Sequence, residues 1–195
     1  MFVIYDCESN GKAKDFKAKM SDLENWPRIT QLAWSVYDAD MQLKFERNFL
    51  ILPDGWTIPK EKFFIDNGMS TERNMAFGVP VLNVLTDFIN DIQGCEYMVA
   101  HNFAFDYNVM GAEMIRGGVR SEKKLKGICT MERTINFCQL PSASKWSKDF
   151  KWPKLEELHI KLFGCNFTGA HDAMDDVRAT SKCFFECVKR GIIQL

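Results

Sequence analysis

The feature that most constrains this chain is an apolar, β-forming run that ends in acid. Phe2-Val3-Ile4-Tyr5 reads as a buried strand, and Asp6-Cys7-Glu8 follows it directly. Two further strands are expected, at residues 29–37 and 43–51, with a link between them short enough for a hairpin. Beyond them helix and strand alternate. Residues 71–93 have helical character, broken near Gly78-Val79-Pro80, where Pro80 suits the first turn of a new helix. Residues 96–101 read as a fourth strand. Residues 103–116 read as a helix that stops at Gly117-Gly118, and 126–130 as a short fifth strand. Helices near 131–138, 154–163 and 172–190 complete the chain. This order predicts an α/β fold with a mixed five-stranded sheet flanked by helices. With 195 residues and no repeat, low-complexity tract or long linker, the expectation is one domain spanning 1–195.

Composition narrows the function classes. The net charge is -1, which argues against a protein that coats nucleic acid through an overall basic surface. It leaves room for an enzyme that meets its substrate through metal ions. No secretory signal pattern precedes the first strand, and no apolar run is long enough to span a bilayer. The seven cysteines include no C-x-x-C pair, and Cys183 and Cys187 read as core thiols four apart on a helix. A reducing, cytoplasmic setting without a membrane partner is the expectation.

Three acidic clusters carry the chemistry. Asp6 and Glu8, two apart on a strand, share one face, and neighbouring carboxylates repel unless a proton or cation lies between them. Hard divalent cations prefer such oxygen ligands. Asp106 follows in His101-Asn102-Phe103-Ala104-Phe105-Asp106, where a strand passes into a helix. Asn102 is a candidate N-cap, and an acid in the first turn also suits the helix dipole. The third cluster is His171-Asp172-Ala173-Met174-Asp175-Asp176 at the start of the last helix. His171 and Asp176, five apart, meet only if His171 lies on the approach to that helix, with Thr168-Gly169-Ala170 supplying the bend. Asp172 and Asp176 at i, i+4 are a rival pair.

In this order the motifs D-x-E, H-N-x-x-F-D and H-x-A-x-x-D-x-x-A-T resemble the DEDDh, or DnaQ-like, 3′–5′ exonucleases. That family includes polymerase III proofreading subunits, oligoribonuclease, ribonuclease T and the TREX enzymes. The resemblance covers nearly the whole chain and implies a ribonuclease H-like fold. It implies that Asp6, Glu8, Asp106 and Asp176 hold two Mg²⁺ or Mn²⁺ ions. His171 would be the general base, since it stands five before Asp176 and position 172 is Asp rather than the Tyr of the sister type. Asp172 and Asp175 then fall back to helix-terminal roles. The expected reaction is hydrolysis at the 3′ end of single-stranded DNA or RNA, releasing nucleoside 5′-monophosphates. The alternative is a catalytically silent nucleic-acid or nucleotide-binding module on the same fold. An aspartic protease fails on motif, because Asp6-Cys7-Glu8 lacks the D-T/S-G turn.

Substrate contacts are expected from Asn102, Met69 and Phe103. Asn67-Gly68-Met69 resembles the family's H-G-I/M segment, with Asn in place of His, and equally reads as a plain turn. Phe103 is expected to be the exposed ring and Phe105 the packed one. Residues 12–19, 120–126 and 145–154 each carry a local charge of +3, and the last interleaves Trp146, Phe150 and Trp152 with lysines. Segment 12–19 is a candidate wall of the cleft. The sequence leaves open DNA against RNA, and a polymerase partner against a homodimer. Its last helix ends soon before Leu195, which favours a stand-alone enzyme.

Overall fold

A computed structural model describes residues 1–142 and 149–195. Its centre is the strand pair β1 (Phe2–Ser9) and β2 (Ile29–Tyr37), whose apolar residues are covered on both sides. β1 pairs antiparallel with β2 and β2 antiparallel with β3 (Leu43–Leu50); β4 (Tyr97–Ala100) joins β1 in parallel and β5 (Lys126–Cys129) joins β4 in parallel. The order β3-β2-β1-β4-β5 makes one mixed five-stranded sheet among the described residues, as the sequence predicts.

Strand alternation divides the core. Val3, Tyr5 and Cys7 face one layer, with α3 (Val81–Asp91) and α4 (Phe103–Arg116). Phe2 and Ile4 face the other, with α7 (Leu155–Phe163) and α8 (Ala173–Lys189). On α8 the buried residues Ala173, Val177, Thr180, Phe184 and Cys187 recur at three- and four-residue steps, which builds the stripe that seals this layer. Cys183 and Cys187 pack inside it as free thiols.

The sequence-predicted helices form with boundaries close to those expected. α2 (Thr71–Phe77) and α3 are separated at Gly78, where an added Cβ would meet the Leu52 backbone at 2.6 Å. Pro80 stands just before α3 as its N-cap. The helix expected near 131–138 is two single turns, α5 (Thr130–Arg133) and α6 (Ile135–Cys138), interrupted at Thr134. One short helix, α1 (Lys62–Asp66), was not anticipated. Among the described residues no helix is long and apolar enough to cross a membrane. Lys145, Trp146 and Lys148, three of the residues that made 145–154 a candidate strand-binding segment, lie outside the described residues.

Candidate active site

The three acidic clusters converge because two layers end at one place. β4 pairs with β1 only along Phe2–Ile4, so β1 runs on past its parallel neighbour and opens a crevice at its carboxyl end. Such crevices are the usual position of sites in α/β sheets. Asp6 and Glu8 continue the face of β1 that carries α8, and Asp176 sits in the first turn of α8. Asp106 arrives from α4, on the opposite layer. Asp6, Glu8, Asp106, Asp176 and His171 line one cleft of about 420 Å³.

His171 reaches the cleft through the bend that Thr168-Gly169-Ala170 was expected to allow. Gly169 has φ +86°, a left-handed conformation that favours glycine, and an added Cβ there would displace the Asp175 carboxylate. His171 itself adopts φ 71°, and its backbone N–H donates to Asp176 Oδ2 at 3.1 Å. The ring edge meets Phe63 of α1, with centroids 5.0 Å apart. Asp172 does what a helix-terminal residue does. Its Oδ1 accepts from Met174 N at 3.0 Å, and its Oδ2 from Gln31 Nε2 at 3.0 Å. Asp175 turns to Arg178 at 3.7 Å.

The electrostatics of the cluster record its crowding. Burial, then the charges of Asp106, Asp176 and Glu8, hold the Asp6 carboxyl well above the usual carboxylate range. Burial and the Asp176 charge push Glu8 up to about 8. Burial pushes Asp106 up to about 7 against two hydrogen bonds from Cys7, and Asp176 up to about 6 against the His171 N–H. Carboxyls this close cannot all ionise without a counter-charge. Ligand atoms of Glu8, His171 and Asp176 lie within 4.8 Å of one another. An oxygen-rich set with one imidazole fits a divalent cation, and Asp6 and Asp106 stand beside it in the same cleft.

Comparison with known proteins adds the architecture. No protein-family model matches the chain, and no curated protein matches it. Solved structures do: E. coli exonuclease I in complex with a dT13 oligonucleotide superposes with a TM-score of 0.71 at 19% identity, over 96% of this chain and 40% of that one. The zinc-bound form of the E. coli exonuclease I–ssDNA complex (TM-score 0.71, 19% identity, 97% and 40%) and the exonuclease I of Methylocaldum szegediense (0.71, 18%, 97% and 40%) agree. The fold is shared with exonuclease I. This chain spans about 40% of the length of those chains.

The expected substrate contacts are placed differently from one another. Asn102 lines the cleft but is not the side-chain cap expected; it adopts φ 75°, and its side chain makes no capping bond. Both phenylalanines are half-buried against the core, as was expected of Phe105 alone, and it is Phe105 that also reaches the cleft. Phe103 stacks on Tyr107 with centroids 5.4 Å apart and meets Tyr5 edge-on, whereas Phe105 lines the cleft. The cause is helical register: Phe103, Tyr107, Met110 and Met114 form one stripe of α4, which faces a separate groove of about 790 Å³ toward α3. That groove is larger than the cleft, but Glu122 is the sole carboxylate in its lining, and Arg120, Lys123 and Lys124 of the second basic segment sit there. Met69 is buried against Ile58 and Phe64 rather than lining the cleft, and Asn67-Gly68 closes α1 as a turn, with Asn67 Nδ2 donating to Phe63 O at 2.8 Å.

Three residues have roles here that the sequence does not announce. Phe63, 46% exposed, is the apolar group against the His171 ring. Cys7 donates to Asp106 from both N and Sγ. His101 pins residues 152–154, a strap that lines the cleft: one ring nitrogen bonds the Thr130 hydroxyl at 2.9 Å and Nε2 the Pro153 carbonyl at 3.0 Å. Burial pushes His101 down to about 4, so Nε2 carries the proton as a neutral donor. The strap presents Trp152, 57% exposed, to the cleft. Phe16 of segment 12–19 has its ring 6.1 Å from that of Phe105, and Lys12, Lys14, Lys17 and Lys19 of the same segment are exposed.

Proposed function

We propose that this chain is a metal-dependent 3′–5′ exonuclease of the DEDDh type, acting on single-stranded DNA or RNA and releasing nucleoside 5′-monophosphates. The observation that carries this reading is the convergence of Asp6, Glu8, Asp106 and Asp176, from three distant stretches, with His171 in one cleft. The shared fold with exonuclease I, and the ssDNA complexes of that protein, support it. Asp6, Glu8, Asp106 and Asp176 would hold two Mg²⁺ or Mn²⁺ ions, which when bound would supply the charge that admits an anionic phosphodiester and the acidity that activates water at neutral pH.

The chain's own residues do the remainder. An imidazole nitrogen of His171 takes the proton of the attacking water. Phe63 and the backbone bond to Asp176 hold that ring at the cleft. Phe105 and Trp152 offer faces on which the last bases of a single strand stack.

The test is a digestion panel of 5′-labelled single-stranded DNA, duplex DNA, RNA and dinucleotides, with Mg²⁺ or EDTA, on wild type, Asp6→Ala and His171→Ala. Stepwise shortening with Mg²⁺ alone is expected, with loss in both variants. His171→Ala retains Mn²⁺ binding if the ring is a base rather than a ligand. Binding of the strand without release of mononucleotides, at any metal concentration, refutes the reading and leaves the silent module.

A further inference from the structure

We propose that Cys7 is a positioning residue, whose thiol fixes the orientation of the Asp106 carboxylate within the metal-binding cluster. The proposal rests on the nuclease reading for what the cluster does, and its argument is geometric.

Alternation along β1 puts Asp6 and Glu8 on the α8 face and Cys7 on the α4 face. Of the four clustered carboxylates, Asp106 is the one that comes from α4, so Cys7 is the residue of the D-x-E triplet on its side. Past Ile4 the edge of β1 has lost its parallel partner, and its backbone donors there need a new acceptor. Asp106 Oδ1 supplies it, 3.3 Å from Cys7 N. The same oxygen lies 3.1 Å from Cys7 Sγ. Two donors from one buried residue therefore converge on one carboxylate oxygen. Rotation of the carboxylate about its Cβ–Cγ bond breaks both, so the other oxygen keeps its direction. Partners of this kind orient ligands and tune metal affinity.

Alanine at position 7 keeps the backbone donor and loses only the thiol; serine keeps a donor. A packing role and a positioning role then diverge. Packing alone predicts that Cys7→Ala and Cys7→Ser both melt earlier while Mn²⁺ affinity stays put. Positioning predicts that Cys7→Ala weakens Mn²⁺ binding to the free protein by about 10- to 100-fold, nearer the lower limit because a thiol is a weak donor. Cys7→Ser restores most of that affinity, whatever its melting temperature.

The experiment titrates Mn²⁺ into the three proteins without nucleic acid, reading free Mn²⁺ by electron paramagnetic resonance. It then measures kcat and KM on a labelled oligonucleotide. A fall in kcat with KM held within about twofold is expected for Cys7→Ala. Equal Mn²⁺ affinities across the three proteins, or equally weak binding by Ala and Ser, overturn the proposal. A wild type that binds Mn²⁺ but releases no mononucleotide overturns the nuclease reading alone, because the three affinities still report on the thiol. A wild type that binds no Mn²⁺ overturns both.

Discussion

The carboxylate floor of the cleft and the strap that lines it are satisfied in opposite ways. On the floor, burial and mutual repulsion raise all four carboxyls, Glu8 to about 8 and Asp106 to about 7. At the strap, His101 is equally deprived of water, yet both of its ring nitrogens have partners and the ring stays neutral, at about 4. The floor is thus under a repulsive stress that a cation would relieve, while the strap is complete in itself. Residues of the first kind are kept at the expense of stability, and residues of the second supply it.

Asp176→Asn puts the largest strain on this comparison. On the proposed nuclease reading, losing one of the four charges should cut hydrolysis by at least about 10³-fold, since metal stabilisation is worth several kcal/mol. The metal-free variant should nevertheless melt higher than wild type, because a repelling charge is gone. A calorimetric scan in EDTA that finds it melting lower would show that the floor is not under repulsive stress.

Dependence on pH separates the two regions next. A carboxyl raised in the fold binds a proton there that the unfolded chain has released, so its contribution is present below about 4 and fades as pH rises through about 6 to 8. His101 does the reverse: the unfolded ring binds a proton below 6.5, and its contribution fades as pH falls from 6.5 toward 4. Metal-free protein should therefore lose melting temperature between pH 6.5 and 8, where only the floor titrates. Saturating Mg²⁺ should raise the melting temperature more at pH 8 than at pH 5.5. An equal shift at both values would detach the metal from the raised carboxyls. His101→Ala strands the Pro153 carbonyl, while the Thr130 hydroxyl keeps the Ala100 carbonyl at 3.4 Å, and should cost about 1–3 kcal/mol in urea denaturation at pH 7. Its kcat should change far less than that of Asp176→Asn.

The floor was legible in the sequence and the rim largely was not. A strict two-residue period carries Asp6 and Glu8 to one face whatever surrounds them, and Gly169 marks the bend that His171 needs. The bonds from Cys7 to Asp106 and from His101 to Pro153 join residues 99 and 52 apart, and no local pattern announces such pairs. α1 has five residues, too few for a helical period to emerge, so Phe63 beside His171 could not be anticipated. The packing of Phe103 away from the cleft was readable, because Phe103, Tyr107, Met110 and Met114 already form a three-and-four stripe. The H-N-x-x-F-D motif drew attention to the acid and away from that stripe.

The smallest effect belongs to the outermost part of the rim. Lys12, Lys14, Lys17 and Lys19 are exposed on a segment tied to the cleft through Phe16 and Phe105. The segment is anchored beneath, where Asn25 Oδ1 accepts from Asp15 N at 2.7 Å and Trp26 Nε1 donates to Lys19 O at 3.0 Å, so its lysines face solvent from a fixed base. If they track the phosphates of an entering strand, replacing all four with Ala flattens the plot of log affinity against log salt by about 0.7 for each phosphate no longer neutralised. Turnover at saturating strand should hold, because none of the four lines the cleft. An unchanged slope in fluorescence anisotropy across a salt series would assign the charges to solvation and confine strand binding to the floor and the strap. A flatter slope with unchanged kcat would place segment 12–19 on the path along which the strand reaches the carboxylates.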